Sequence, residues 1–277
     1  MKIALIQLNA GSDKKKNLDA ALRLTCEAIR NKARFILLPE VFNYRGKPDA
    51  QNGFHSIAEN IPGPSTEPLM ILARANRVFI LAGSIYEKVT GEKKVYNTSV
   101  LINDKGKIAA RYRKIHLFDA RLGKKIIREP QFFLSGKNPV TASVGGFKAG
   151  LSICYDLRFP DLYKHYAKAG AQILCVPSSF TATTGEAHWE ILLRARAIEN
   201  LCYILAPNQF GKTPAGIETY GNSMVVDPWG KILARASGAN TSGARQEILY
   251  ADIDKKTLLE SRKKLPGIAE PTQRVRF

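Results

Sequence analysis

The chain contains a long-range echo of itself. Tyr96-Asn97-Thr98-Ser99-Val100-Leu101-Ile102, followed by Gly106-Lys107-Ile108-Ala109-Ala110-Arg111, lines up with Tyr220-Gly221-Asn222-Ser223-Met224-Val225-Val226, followed by Gly230-Lys231-Ile232-Leu233-Ala234-Arg235. The same register sets Phe79-Ile80-Leu81-Ala82 against Tyr203-Ile204-Leu205-Ala206, and 69–76 and 193–200 both read as helix ends leading into those strands. Two related αβ units are expected. Each can cover one face of its sheet with its own helices but must bury the other face elsewhere, and the matching sheet is the natural partner. The expected fold is therefore α/β, a four-layer α-β-β-α sandwich. Because a cut between the units would expose both inner sheet faces, one domain spanning residues 1–277 is expected, and a chain of 277 residues can bury a core of that size.

The echo fails at one informative place. The apolar run Phe35-Ile36-Leu37-Leu38 ends in Pro39-Glu40, whereas its counterpart, 171–176, ends in Pro177-Ser178. The second unit lacks the acid, so one active site per chain is the simpler reading. Another apolar run, Gly150-Leu151-Ser152-Ile153-Cys154, breaks at once into Tyr155-Asp156-Leu157-Arg158-Phe159-Pro160, with a helical pattern beyond. Cys154 thus sits at a strand-turn-helix elbow, where a nucleophile can face substrate and backbone N–H groups can face an oxyanion. A free thiol, with its pKa near ~8.5, needs a base or a nearby cation at neutral pH. Glu40 can serve as the base, and Lys114, at the end of the strand-like 107–114, as the cation.

Composition narrows the class. Hydrophobic residues make up 45%, and no uncharged apolar stretch approaches the ~20 residues of a membrane helix. The first residues read as a strand rather than a signal peptide, so a cytoplasmic enzyme without membrane association is expected. Four cysteines, Cys26, Cys154, Cys175 and Cys202, form neither a C-x-x-C pair nor a zinc-spaced cluster with the four dispersed histidines. No metal, cofactor or disulfide frame is expected, and Cys26, Cys175 and Cys202 are read as core thiols. Lysine and arginine exceed the acids by 42 to 24, a net charge of +18. The basic residues are scattered in small groups such as Lys14-Lys15-Lys16 and Arg262-Lys263-Lys264 with no nucleic-acid motif beside them. A specific nucleic-acid partner is not expected; a field that draws in an anionic substrate is the more plausible contribution of this charge.

Leu38-Pro39-Glu40, Tyr112-Arg113-Lys114-Ile115-His116 and Ile153-Cys154-Tyr155-Asp156-Leu157-Arg158-Phe159-Pro160 resemble the Glu, Lys and Cys motifs of the nitrilase, or carbon-nitrogen hydrolase, superfamily. The resemblance continues through Thr184-Gly185-Glu186-Ala187-His188-Trp189-Glu190 and the block from Tyr220 to Gly230, and covers almost the whole chain. It implies the same four-layer fold and amide hydrolysis through a Cys154 thioester. By that resemblance Glu40 moves the protons, Lys114 and the backbone N–H of Tyr155 hold the oxyanion, and Glu129 helps position Lys114 and substrate. Arg158 matches a position near a substrate carboxylate; Thr184 and His188 match positions that shape the acyl pocket. The family often forms homodimers, and a homodimer is expected; the short 268–277 tail gives no support to a tail-swapped assembly.

The longer blocks point to the branch containing deaminated glutathione amidase and omega-amidase. Deaminated glutathione is the expected substrate, with omega-amidase action on 2-oxoglutaramate or 2-oxosuccinamate as the alternative and N-carbamoyl hydrolysis more distant. From another class, a basic scaffold or binding protein is set aside because Glu, Lys and Cys occur together.

Overall fold

The computed structural model describes residues 1–122, 125–238 and 245–266; the 268–277 tail considered above lies outside them. In chain order the first unit runs β1 (Lys2–Gln7), α1 (Lys14–Arg30), β2 (Phe35–Leu37), α2 (Glu67–Asn76), β3 (Phe79–Glu87), β4 (Tyr96–Ile102) and β5 (Ile108–Arg113). A small hairpin, β6 (Asp119–Leu122) and β7 (Lys125–Arg128), leads into the second unit. There follow β8 (Val140–Val144), β9 (Phe147–Leu151), α3 (Pro160–Lys168), β10 (Ile173–Cys175), α4 (Ala182–Asn200) and β11 (Tyr203–Ala206). Next come β12 (Phe210–Lys212), β13 (Glu218–Tyr220), β14 (Met224–Val226) and β15 (Ile232–Arg235), then β16 (Glu247–Asp252) and α5 (Lys255–Lys264).

The two six-stranded sheets repeat one plan. Their orders are β16-β1-β2-β3-β4-β5 and β8-β9-β10-β11-β14-β15, with parallel pairing in the middle and antiparallel pairing outside it. The echo seen in the sequence is a register identity: Ile80 faces Ile102 and Ala82 faces Val100, as Ile204 faces Val226 and Ala206 faces Met224. Matching irregularities follow, between Leu101 and Ile102 and between Val225 and Val226. Even the helix ends agree, since Arg77 after α2 and Leu201 after α4 both take left-handed backbone. The last strand, β16, returns to the first sheet beside β1.

Strand alternation sorts the side chains into layers. Ile3, Leu5, Phe35, Leu37, Leu81 and Leu101 point into the core shared with the second sheet, which adds Ala149, Leu151, Ile173, Leu205 and Val225. Their neighbours Ala4, Ile6, Ile36, Leu38, Ile80 and Val100 point the other way, onto Ala21, Leu24 and Ala28 of α1 and Leu69 and Ala73 of α2. Helices thus cover the outside and the sheets pack face to face, which is the four-layer sandwich.

One bulge sets up the functional end. In β3 the register shifts between Ala82 and Ile85, so Ile85 rejoins the helix-facing core and Tyr86 turns to the opposite side. At the bulge Gly83 lies so close to the Leu38-Pro39 backbone that a Cβ there would sit 1.9 Å from the Pro39 carbonyl oxygen. Ser84 Oγ accepts the Val41 N–H at 2.9 Å, holding Val41 at φ +46°, a costly left-handed conformation for a β-branched residue. Bulge and turn together aim Glu40. Gly83→Ala should therefore destabilise the fold by at least ~1–3 kcal/mol, the usual cost of overpacking. Thermal unfolding checks this, and an unchanged melting temperature would contradict the close approach.

Candidate active site

Glu40 emerges from the end of β2 and is only 4% exposed. Its Oε1 accepts hydrogen bonds from Asn97 Nδ2 and Lys114 Nζ, both at 2.9 Å, and its Oε2 accepts from the Ser179 N–H at 2.8 Å. The last contact explains the asymmetry of the echo. Where the first unit's strand ends in an acid, the second unit's Pro177-Ser178-Ser179 supplies a backbone donor to that acid. Behind Glu40, Gln209 Nε2 donates to its carbonyl oxygen at 2.9 Å while Gln209 Oε1 accepts from Ala10 N–H.

Lys114 follows β5, and its N–H binds the Asn97 carbonyl at 2.9 Å. Its side chain is 1% exposed and divided between Glu40 at 2.9 Å and Glu129 at 3.0 Å. Glu129, just past β7, is fixed by the Phe118 N–H, which donates to its Oε2 at 2.7 Å.

Cys154 begins a single 3-10 turn, Cys154–Arg158, with φ +47°. That strained backbone is over-determined. The Cys154 N–H binds the Pro177 carbonyl at 3.0 Å, and Asp156, fully buried, accepts from Ile153 N–H at 2.8 Å and Tyr112 Oη at 2.7 Å. The other Asp156 oxygen holds the His116 N–H at 3.0 Å and lies 2.7 Å from His116 Nδ1. From α4, Arg196 Nε reaches the Leu157 carbonyl at 3.0 Å. One carboxylate thus ties the elbow to the Lys114 segment. The Tyr155 N–H precedes the first bond of the turn, Asp156 N–H to Ile153 O, so the turn itself offers it no acceptor.

These groups meet in a cavity of about 360 Å3 lined by Glu40, Lys114, Glu129 and Cys154 and also by Tyr155, Arg158 and Thr184. Arg158 pairs with neither Asp156 nor Asp161; its guanidinium lies over Phe180 at 5.2 Å and over Tyr155 at 5.8 Å. Thr184 Oγ1 sits 2.8 Å from Thr181 Oγ1 at the start of α4. His188 is not brought to the cavity wall. It is exposed and reaches Arg158 Nη1 at 3.2 Å, so it supports Arg158 from outside. Of the remaining cysteines, Cys175 and Cys202 are buried, but Cys26 is only partly so, because its helix position lies at the edge of the apolar face.

Several lining residues carry no local sequence signal. The β12–β13 hairpin contributes Thr213, Ile217 and Thr219. Arg45, 5% exposed, binds Thr219 Oγ1 at 2.8 Å, the Ala10 carbonyl at 3.0 Å and Asn9 Oδ1, and so ties that hairpin to the first unit. Burial lowers the Arg45 guanidinium to about 10, against the smaller opposing pull of Tyr86 and Glu40. Phe54, Tyr86, Phe132 and Phe133 form an aromatic wall, with Phe54 and Phe133 stacked at 5.2 Å. No His/Cys/Asp/Glu group among the described residues could hold a metal ion, and no described helix is long and apolar enough to cross a membrane.

The carbon-nitrogen hydrolase family model matches residues 2–263. This chain is a carbon-nitrogen hydrolase. It is 40% identical to omega-amidase NIT2 of Mus musculus and 38% identical to nitrilase homolog 2 of Dictyostelium discoideum, over 96% of this chain and 92% and 78% of those proteins. Among solved structures it resembles Saccharomyces cerevisiae Nit3, a nitrilase-superfamily member, with 32% identity, TM-score 0.84, and coverage of 100% of this chain and 97% of that one. It also resembles a variant of the amidase from Nesterenkonia sp. AN1, with 26% identity, TM-score 0.75, and coverage of 96% and 98%; that structure shows Michael addition of acrylamide at the active site cysteine.

The electrostatics of this hydrolase follow from burial. Burial alone would lower the Lys114 ammonium, but Glu129, Glu40 and Cys154 reverse that and hold it well above its ordinary value. Burial, with the Glu40 carboxylate next, pushes the Cys154 thiol well above its ordinary value, against the opposing pull of Lys114 and the Ser179 N–H. A raised thiol pKa favours the neutral form, so Cys154 rests as a thiol and must lose its proton as it attacks. The ultraviolet thiolate difference between wild type and Cys154→Ser should therefore be absent up to the pH where a free cysteine ionises, ~8.5. A thiolate step below that pH would contradict the arrangement.

Proposed function

We propose that this hydrolase is an omega-amidase that removes the terminal carboxamide of a short 2-oxo dicarboxylic acid monoamide such as 2-oxoglutaramate. The observation that carries this reading is the convergence of Glu40, Lys114, Glu129 and Cys154 in one small cavity with a cation, Arg158, on its wall. Glu40 takes the thiol proton of Cys154 as sulfur bonds to the amide carbon. The oxyanion is stabilised by Lys114 and the Tyr155 N–H. Glu40 then delivers the proton to nitrogen, the C–N bond breaks, and ammonia leaves a thioester on Cys154. Glu40 next draws a proton from water, which adds to the thioester; the acid departs and the thiol is restored. Glu129 keeps Lys114 charged and in place throughout.

Substrate choice is where the expectation drawn from the sequence shifts. The sequence favours deaminated glutathione, but the Mus musculus relative and its human counterpart, 39% identical, are omega-amidases. The cavity, at the low end of the ~300–1,000 Å3 usual for small-ligand sites, supports the smaller acid as well. Arg158 is positioned to pair with its carboxylate, and Thr184 lies beside the same wall.

2-Oxoglutaramate should be turned over with a higher kcat/KM than deaminated glutathione in matched salt. The reverse order would return the protein to the larger substrate. Cys154→Ala should abolish turnover, and Lys114→Ala should reduce it ~100- to 1000-fold, the usual cost of one oxyanion donor. Mass spectrometry of quenched Glu40→Gln enzyme should find no more than traces of acyl adduct on Cys154. Normal acylation in that variant would assign the base elsewhere.

A further inference from the structure

Tyr86 is the one phenol of the aromatic wall. It follows the β3 bulge, stands opposite Asn97 on β4, and is 7% exposed. Its ring is locked between Phe54 at 4.6 Å and Phe133 at 5.4 Å, with Tyr44 edge-on at 6.5 Å. The side chain lines the cavity, yet its hydroxyl is in none of the hydrogen bonds among the described residues. A hydroxyl on a cavity wall with no partner among the described residues can both donate to and accept from what enters the cavity.

The surroundings say which partner. Asn97, opposite Tyr86 across the strands, also lines the cavity and donates to Glu40 Oε1 at 2.9 Å, so Tyr86 stands on the Glu40 side of the site. Burial and the Glu40 and Glu129 carboxylates raise the phenol above its ordinary value, so it stays neutral while the enzyme works. Lys114 already serves both acids, and Asn97 and the Ser179 N–H complete Glu40. What this corner lacks is a further donor. In the reaction proposed above, the group brought to Glu40 for protonation is the amide nitrogen, with its N–H bonds.

Resting on that reading, we infer that the Tyr86 hydroxyl oxygen accepts a hydrogen bond from the scissile carboxamide N–H, making Tyr86 a specificity-determining residue for amides over esters. An ester of the same acid presents no N–H at that position and gains nothing from the phenol.

Tyr86→Phe removes only the oxygen and keeps the ring packing. Its kcat/KM for 2-oxoglutaramate should fall ~3- to 10-fold, the worth of one neutral hydrogen bond, while the 5-methyl ester of 2-oxoglutarate changes less than ~2-fold. Gln209→Met is the control, because Gln209 touches only the backbone behind Glu40; it should lower amide and ester together. Equal effects of Tyr86→Phe on both substrates, no effect on the amide, or the same amide-to-ester shift in Gln209→Met would each overturn the assignment. Failure of the wild type to cleave 2-oxoglutaramate would instead sink the substrate reading, and propionamide with methyl propionate would then carry the same ratio test.

Discussion

A buried ammonium between two carboxylates is the interaction on which the rest of this structure depends. Lys114 is almost wholly removed from water, and a charge so placed is tolerable only when paired and hydrogen-bonded. Glu40 and Glu129 provide that, and each is held in turn: Glu40 by Asn97 and the Ser179 N–H, Glu129 by the Phe118 N–H. The donors come from β4, from the turn after β10 and from the segment before β6. Loosening any of these would leave a charge in the interior without its full complement of partners, so the geometry of the cavity and the integrity of the fold are enforced by the same contacts.

Much of this was legible in the residues themselves. Apolar runs of fixed spacing repeat in the two halves, and that repetition is realised as identical strand order, identical register and matching bulges. The convergence of Glu40, Lys114 and Cys154 follows because each lies just past a strand at the same end of two stacked sheets. What could not be read is what depends on non-local backbone. Ser179 acts through its N–H, which has no sequence signature, and Tyr86 faces the cavity only because the bulge at Gly83-Ser84 reverses strand parity. Arg45 looks like one more surface cation among many, yet it is buried by neutral acceptors from both units. His188 shows the converse: its motif marks the right helix, but the helical turn directs it outward onto Arg158.

The elbow at Cys154 illustrates how strain is maintained. A left-handed cysteine is unfavourable by itself, and the conformation persists because Asp156 binds the preceding N–H while also gripping Tyr112 and His116 from the other half. His116 is further fixed by its ring, which stacks on Phe159 with centroids 3.6 Å apart. The nucleophile is thus supported from the far side of the sandwich.

The Ser179 contact has a consequence for how the protein comes into being. Glu40 is translated early, and the N–H that completes it arrives some way into the second half, after the thiol it serves. Neither half can assemble a working centre alone: the first has acid and ammonium without a nucleophile, the second a nucleophile without a base. Chemical competence is consequently a property of the docked pair. A nascent or partly unfolded chain carries an ordinary, unassisted cysteine.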